Sequence, residues 1–229
     1  MPIDRAMVFA AGFGTRMAPL TDTLPKPLIP VAGKPLIDHA LDLLSDVSTV
    51  VINTHYRAAQ LEDYLADRNV VCLREEPEVL ETGGGLKNAL SVLGNGAVFT
   101  LNSDVIYAGP NPVDALQAAW DPDTMDALLT LIPVENTVEY SGAGDFYLDE
   151  MGRIERRGRR KSAPFVYGSV QILKTDLLAE VSQNAFSLNL IWDQMIAKGR
   201  AFGLPYEGRW VDVGRPEGIS VAERVLANV

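Results

Sequence analysis

A glycine-containing segment near the N-terminus carries the residue types that bind phosphate. Gly12 and Gly14 follow a short apolar run, and Arg16 lies two residues beyond the second glycine. Glycines after a strand let backbone N–H groups close on phosphate oxygens, where a side chain would block the approach. Lys26, which lies between two prolines, adds a second cation. The sequence therefore predicts an anion-binding loop in this part of the chain.

Two other phosphate-binding templates fit this segment poorly. The dinucleotide-binding fingerprint requires a third glycine where this chain has Met17, and no acidic residue ends the second apolar run. The P-loop template requires Ser or Thr after its lysine, but Lys34 is followed by Pro35. A dinucleotide-dependent oxidoreductase is therefore disfavoured.

Short apolar runs alternate with amphipathic segments and must position this loop. Runs rich in Val, Leu or Ile predict strands at 7–10, 50–53, 70–73, 98–101 and 128–132. Helical spacing of apolar residues predicts helices at 35–44, 58–66, 86–93, 112–120 and 188–197. Further strands are predicted at 146–148, 165–173 and 209–213, in a partly antiparallel region before a closing helix at 216–226 packed on the sheet. We therefore predict an α/β, three-layer Rossmann-like fold with a mixed, mostly parallel central sheet, whose ligands lie at the carboxyl ends of the strands.

Five sequence motifs occur in a fixed order along the chain. They are Ala-Ala-Gly-Phe-Gly-Thr-Arg-Met at 10–17 with Pro-Lys-Pro-Leu at 25–28, Asn-Thr-His-Tyr at 53–56, Glu-Thr-Gly-Gly-Gly at 81–85, Leu-Asn-Ser-Asp at 101–104, and Trp-Val-Asp-Val-Gly at 210–214. In this order they resemble the sugar-1-phosphate nucleotidylyltransferases, which couple a nucleoside triphosphate to a sugar 1-phosphate and release pyrophosphate. The resemblance covers most of the chain and implies a nucleotidyltransferase fold.

The nucleotide-binding residues follow from the glycine loop and from this resemblance. They are Ala11, Gly12, Gly14, Thr15, Arg16, Lys26, Gly83 and Gly84. Arg16 is expected to contact the β- and γ-phosphates and the departing pyrophosphate, and Lys26, by resemblance, bridges the phosphates of both substrates. The glycines at 83–85 are expected to open a helix and to offer backbone donors to the base, although glycines at a helix start also serve as caps.

Two aspartates are predicted to hold Mg²⁺ as the cofactor. Asp104 and Asp212 each follow an apolar strand, and magnesium prefers one or two carboxylates together with phosphate oxygens and water. Asp104 joins Arg16 and Lys26 in the predicted catalytic set. Capping of a turn or helix is the alternative role for either aspartate.

The sugar is assigned by resemblance to Asn102, Asp145 and Gly168, with a plain turn as the alternative for Asp145. Within the family the chain most resembles the short bacterial N-acetylmuramate 1-phosphate uridylyltransferases of cell-wall recycling, which favours UTP as the nucleoside triphosphate. Mannose-1-phosphate guanylyl transfer and glucose-1-phosphate thymidylyl or uridylyl transfer are the alternatives. A non-catalytic nucleotide-sugar sensor is a remoter one.

A basic run at 153–161 contains six cations. Clustered charge of this kind is typical of a solvated loop. A sharper hypothesis is that one of its arginines, with Arg159 and Arg160 as the residues to test, binds the lactyl carboxylate that distinguishes muramate from other hexosamines.

The bulk composition limits the possible partners and compartment. A formal net charge of −10 over 229 residues argues against a protein that coats nucleic acid or an anionic membrane. The sequence shows no signal peptide, transit peptide or membrane-spanning run, and its sole cysteine, Cys72, excludes an intrachain disulfide. We expect a cytoplasmic monomer or small homo-oligomer. Its single domain, 1–229, would comprise a nucleotide-binding half to about residue 132, then a sugar-binding half and C-terminal helix at about 133–229.

Overall fold

The computed structural model describes residues 2–138 and 140–228. Its strands are, in chain order, β1 (Arg5–Phe9), β2 (Pro30–Val31), β3 (Lys34–Pro35), β4 (Thr49–Thr54), β5 (Val71–Arg74), β6 (Ala97–Asn102), β7 (Val105–Ala108), β8 (Ala127–Pro133), β9 (Phe146–Leu148), β10 (Ile154–Arg156), β11 (Phe165–Lys174), β12 (Ala201–Pro205) and β13 (Arg209–Asp212). Its α-helices are α1 (Leu36–Asp42), α2 (Ala58–Leu65), α3 (Glu81–Leu93), α4 (Pro112–Ala119), α5 (Asn189–Ala197) and α6 (Glu217–Leu226).

The central sheet has nine strands and is mixed, as predicted. β5, β4, β1 and β6 lie side by side and run in one direction. β11 is antiparallel to β6 on one side and to β8 on the other, and β12 runs parallel to β8. β9 pairs with the start of β11, beyond the carboxyl end of β6, and forms a hairpin with β10. Among the described strands of this sheet, only β11 and β10 oppose the common direction.

Helices cover both faces of the sheet, because alternate residues of each buried strand point to opposite sides. In β1, Met7 packs in a cluster with residues of α3 and α5. Ala6 and Val8 pack in a second cluster with residues of α1, α2 and α4. The predicted three-layer architecture is therefore confirmed.

Most of the predicted elements are present with bounds shifted by a few residues. The structure adds the strands β7, β10 and β12 and the β2–β3 ribbon, which the sequence did not reveal. These strands are short, and β12 contains Gly203 at a point where a β-carbon would overlap the side chain of Leu131. The formation of β12 therefore depends on packing against β8 and not on residues with a high strand propensity.

A two-stranded ribbon, β7 paired with β13, stands apart from the central sheet. α6 packs on this ribbon and on β2, whereas the sequence predicted that it packs on the sheet. The contact buries Ile106 of β7 and Val211 of β13 against Val221 of α6. The closing helix therefore supports the ribbon that ends at Asp212.

Within the two described ranges, no helix combines the length and the apolar character needed to cross a bilayer.

Candidate active site

The glycine loop lines a cleft of about 330 Å³ at the carboxyl ends of β1 and β6. Parallel strands of an open α/β sheet direct their ends into such a crevice. The other walls come from the start of α3 and from the segment around Lys26. The residues predicted for substrate binding that line this cleft are Ala11, Gly12, Gly14, Thr15, Arg16, Lys26, Asn102 and Asp104.

The two loop glycines serve different purposes. Gly14 has a φ of 62°, in the left-handed region, and a β-carbon there would lie 3.0 Å from the Cβ of Lys26. Its missing side chain therefore lets the stem of Lys26 pass beside the loop. A β-carbon on Gly12 would meet no atom within 4 Å, so that position opens onto free space. This is the space that the sequence predicted for phosphate.

Lys26 and Asp104 form an ion pair in the floor of the cleft. The distance between Lys26 Nζ and Asp104 Oδ2 is 2.6 Å, and the lysine side chain is 11% exposed against 24% for the aspartate. Lys26 begins a short 3₁₀ helix that includes Pro27, and Pro25 precedes it. The prolines fix the backbone on both sides of the lysine, so its ammonium is directed into the cleft.

The β7–β13 ribbon brings Asp212 beside Asp104. Asp212 is opposite Val105 in the ribbon, and the backbone N–H of Val213 donates to the carbonyl of Asp104 over 2.9 Å. Arg16 adjoins the same carboxylate, since a β-carbon on Gly214 would lie 3.1 Å from Asp212 Oδ1 and 3.3 Å from an Arg16 Nη. The two aspartates and two cations therefore converge on one end of the cleft.

Asp212 lies on the wall of an adjoining cleft of about 550 Å³, which shares Arg16 and Gly214 with the first. Its side chain stays accessible to solvent, yet removal from bulk water and the negative charge of Asp104 raise the pKa of Asp212. The positive charges of Lys26 and Arg16 act in the opposite direction. A further cation bound beside Asp212 would therefore stabilise the ionised form of this carboxylate.

The glycines at 83–85 do not have the role predicted for them. α3 begins at Glu81, so these residues lie inside its first turns, and the N–H groups of Gly83 and Gly84 both donate to the carbonyl of Phe186. They therefore have no free backbone donor for a base. Glu81 and Thr82 line the first cleft instead.

Gly84→Ala is expected to lower the free energy of unfolding by about 1 to 3 kcal/mol, as overpacked core positions do. The added β-carbon would overlap the backbone carbonyl of Asn184. Urea unfolding would measure the loss, with Gly12→Ala as the control because its β-carbon meets nothing within 4 Å. Equal stability of the two variants would contradict this structural role for Gly84.

A second cleft of about 440 Å³ opens beyond the first. The two share Phe9, Thr82 and Asn102, so Asn102 stands at the junction. Asp145 lines the second cleft, and its Oδ2 accepts a hydrogen bond from the backbone N–H of Tyr167 over 2.9 Å. Both predicted sugar contacts, Asn102 and Asp145, thus face one continuous cavity.

Gly168, the third predicted sugar contact, lines neither cleft. Its carbonyl accepts hydrogen bonds from the hydroxyl of Tyr107 and from Nε1 of Trp210, the latter over 3.1 Å. A β-carbon there would lie 2.6 Å from the Tyr107 hydroxyl. The glycine therefore allows close packing at the irregularity in β11, between Tyr167 and Gln171.

The basic run reaches the second cleft through residues other than those singled out from the sequence. Arg156 and Arg157 line the cleft, whereas Arg159 and Arg160 do not. Arg160 pairs with Glu155 over 2.5 Å. The choice of Arg159 and Arg160 as the pair to test was therefore wrong.

A buried polar network that the sequence did not reveal fixes the glycine loop. Asn53 Oδ1 accepts from the N–H of Ala10 over 2.7 Å, and its Nδ2 donates to Glu75 Oε1 over 2.7 Å. Glu75 Oε2 accepts from the N–H of Leu80 over 2.8 Å, just before α3. Glu75 directly follows β5, and this position at a strand end is the signal in the sequence that could have identified it. This network ties the loop to the start of α3 across the cleft.

Comparison with known proteins identifies the family. A family model described as the MobA-like NTP transferase domain matches residues 6–161. The N-acetylmuramate α-1-phosphate uridylyltransferase of Caulobacter vibrioides is 43% identical, over 97% of this chain and 96% of its own length. The mannose-1-phosphate guanyltransferase of Schizosaccharomyces pombe is 31% identical, over 93% of this chain and 61% of its own length.

The fold also has close counterparts among solved structures. That of the inositol-1-phosphate CTP transferase from T. maritima superposes with a TM-score of 0.79 at 17% identity, covering 99% of this chain and 96% of that one. At this identity the likeness concerns the fold alone. The two relatives by sequence, of which the Caulobacter vibrioides enzyme matches over nearly its whole length, confirm the resemblance predicted from the five motifs. The chain belongs to the MobA-like NTP transferase family and is a sugar-1-phosphate nucleotidylyltransferase.

Proposed function

We propose that the chain transfers a uridylyl group from UTP to N-acetylmuramate 1-phosphate. A phosphate oxygen of the sugar phosphate forms a bond to the α-phosphorus of UTP. The bond from that phosphorus to the oxygen bridging to the β-phosphate breaks, so pyrophosphate leaves and UDP-N-acetylmuramate remains. No protein nucleophile is needed, because the attacking phosphate is already ionised at neutral pH.

The convergence of charges in the first cleft is the observation that carries this proposal. Two anions must approach each other, so catalysis depends on cations placed where negative charge accumulates. Lys26, which is paired with Asp104 in the lining of the cleft, would bridge the phosphates of both substrates. Arg16, at the cleft rim beside Asp212, would take the β- and γ-phosphates and the departing pyrophosphate. The N–H groups of the glycine loop would bind the remaining phosphate oxygens.

Asp104 and Asp212 fit a divalent cation such as Mg²⁺. Main-chain pairing holds these two carboxylates together, and the raised pKa of Asp212 reflects in part their mutual repulsion. Among the described residues no group of three or more His, Cys, Asp or Glu side chains forms a metal cluster, so phosphate oxygens and water would complete the ligands. When bound, such an ion withdraws negative charge from the reacting phosphates.

The second cleft is the proposed sugar site. It continues from the first at Asn102, where the 1-phosphate of a sugar would enter. We therefore propose that residues to about 132 serve the nucleotide and that residues 133–229 serve the sugar, with Asn102 as the contact between them. The choice of muramate and UTP is supported by the full-length likeness to the Caulobacter vibrioides enzyme and by the cationic wall of this cleft.

Pyrophosphate release across a substrate matrix tests the proposal. UTP, GTP, dTTP, CTP and ATP would each be combined with the 1-phosphates of N-acetylmuramate, N-acetylglucosamine, mannose and glucose. We expect the highest kcat/KM for UTP with N-acetylmuramate 1-phosphate, by at least about tenfold, since a tenfold preference needs only about 1.4 kcal/mol of differential binding.

Other results would favour one of the alternative functions. A maximum at GTP with mannose 1-phosphate would favour guanylyl transfer, which the likeness to the Schizosaccharomyces pombe enzyme makes the second candidate. Stabilisation of the protein by triphosphates and magnesium without turnover would instead indicate a nucleotide-sugar sensor.

A further inference from the structure

The second cleft has a cationic wall in a protein that is acidic overall. Its charged lining residues are Asp145, Arg156 and Arg157, while the whole chain carries a formal net charge of −10. A neutral hexose requires no cation there, because amide and carboxylate side chains can form the hydrogen bonds that its hydroxyls need. A cation in this wall that has no carboxylate partner within the protein would therefore point to an anionic group on the sugar.

Arg156 is already neutralised by the protein. Its Nε donates to Asp193 Oδ1 over 2.7 Å, and its guanidinium carbon lies 5.4 Å from the ring centre of Phe146 and 5.5 Å from that of Trp192. An arginine with a carboxylate partner and aromatic neighbours on its face is fully engaged. Arg156 thus builds the wall and has little capacity for a second anion.

Arg157 is held differently. Its Nε donates to the carbonyl of Gly144 over 2.9 Å and its Nη1 to the carbonyl of Arg160 over 3.2 Å, and both acceptors are neutral. Within the described residues it forms no ion pair, in contrast to its two basic neighbours Arg156 and Arg160. Two backbone acceptors fix the plane of this guanidinium, and its Nη2 donors remain for a ligand.

We propose that Arg157 binds a carboxylate carried on the sugar ring of the substrate, and so selects a hexosamine 1-phosphate with an acidic substituent. This inference rests on the proposed function, since it assigns one wall of the proposed sugar site. A planar guanidinium and a carboxylate match in geometry and form charge-assisted hydrogen bonds, stronger than those between neutral groups. Under the proposed function the phosphate of the sugar would bind in the first cleft, beyond Asn102 and beside Lys26.

The test compares two substrates that differ only in the acidic group. N-acetylmuramate 1-phosphate and N-acetylglucosamine 1-phosphate share the same ring, and the former adds a lactyl ether. Arg157→Gln is expected to lower the ratio of kcat/KM for the first over the second by about 10- to 100-fold, the usual effect of losing a hydrogen bond between charged groups. Arg159→Gln, in the same run but outside the cleft, serves as the control and keeps the wild-type ratio.

A substrate-side measurement covers the case in which Arg157→Gln fails to fold, because Arg157 also holds two backbone carbonyls. The wild-type enzyme would be given N-acetylmuramate 1-phosphate in which the lactyl carboxylate is replaced by the carboxamide. We expect its kcat/KM to fall by the same factor as in the variant. If the folded variant also has the same kcat/KM for the acid and the amide, the substitution in the protein and the carboxamide in the substrate remove the same interaction.

The failures of the two proposals are distinct. A folded Arg157→Gln variant with an unchanged substrate ratio, or a wild type that uses acid and amide equally well, would overturn the role of Arg157. The proposed function would survive both results. It fails if the wild-type enzyme prefers another pair of substrates in the matrix, or if it binds triphosphates without turnover.

Discussion

Asp104→Asn is expected to lower the rate of pyrophosphate release by about 10³-fold, because the change removes one of the two carboxylates that would hold a divalent ion against the phosphates. Asparagine keeps the shape of the side chain, and its carbonyl oxygen still accepts a hydrogen bond from Lys26 Nζ. The substitution also removes the repulsion between Asp104 and Asp212. The thermal unfolding midpoint should therefore stay within a few degrees of wild type, roughly the shift that 1 kcal/mol produces.

Two measurements separate a lost metal from a lost fold. Binding of Mn²⁺ in the presence of a non-hydrolysable UTP analogue, followed by electron paramagnetic resonance, should weaken in Asp104→Asn. Asp63→Asn, an exposed position on α2, provides the matched change of charge and should bind Mn²⁺ as wild type does. Turnover within about fivefold of wild type, less than the 10²-fold loss typical of one electrostatic contact, would exclude Asp104 from the metal site.

Lys26→Gln is expected to lower kcat/KM by about 10²- to 10³-fold, the loss seen when one preorganised positive or hydrogen-bonding group is removed from a transition state. The buried ammonium is the cation nearest to Asp104 in the floor of the cleft. Lys26→Arg should not restore the rate fully, because a planar guanidinium places its donors differently from the compact ammonium of a lysine.

A lysine outside the cleft makes a close control for this change. Lys34 also forms an ion pair with an aspartate, Asp42, but on the surface. Lys34→Gln therefore removes an equivalent pair and should leave steady-state turnover at the wild-type level. If Lys26→Gln and Lys34→Gln behave alike, the proposed contact between Lys26 and the phosphates would be wrong.

Residues at strand ends were the part of the site that the sequence predicted best. Asn102 ends the buried strand β6 and Asp104 lies two residues beyond it, and the carboxyl end of a parallel strand directs such residues into the crevice. The pairing of Asp104 with Asp212 was predicted from the position of both aspartates after apolar strands and from the preference of magnesium for carboxylates. The β7–β13 pairing that produces it joins segments far apart in the chain, and β7 carries no turn or periodic signal of its own.

The glycines at 83–85 show why composition alone does not determine a role. A position that must admit a ligand and one that must admit a neighbouring backbone both require the absence of a side chain. The neighbour of Gly83 is Phe186 and that of Gly84 is Asn184, each about a hundred residues away in the chain. No local sequence pattern predicts such distant contacts.

The sequence did not distinguish the arginines of the basic run that line the second cleft from those that do not, and the reason is different. In β10 successive side chains alternate between faces, so Arg156 lies on the same face as the buried Ile154 while Glu155 points away. The many charged residues of the run conceal that alternation, because charged side chains lie on both faces of the strand. Solvated and cleft-lining arginines therefore appear identical until the hairpin is in place.

The narrow junction between the two clefts has an evolutionary consequence. Among the residues that the structure describes, the linings of the first and the second cleft have only Phe9, Thr82 and Asn102 in common. Substitutions elsewhere in the second cleft can therefore accumulate without disturbing the cations and carboxylates of the first. Such an arrangement lets one ancestral catalyst diversify toward new sugars, with the chemistry inherited intact and only the acceptor exchanged.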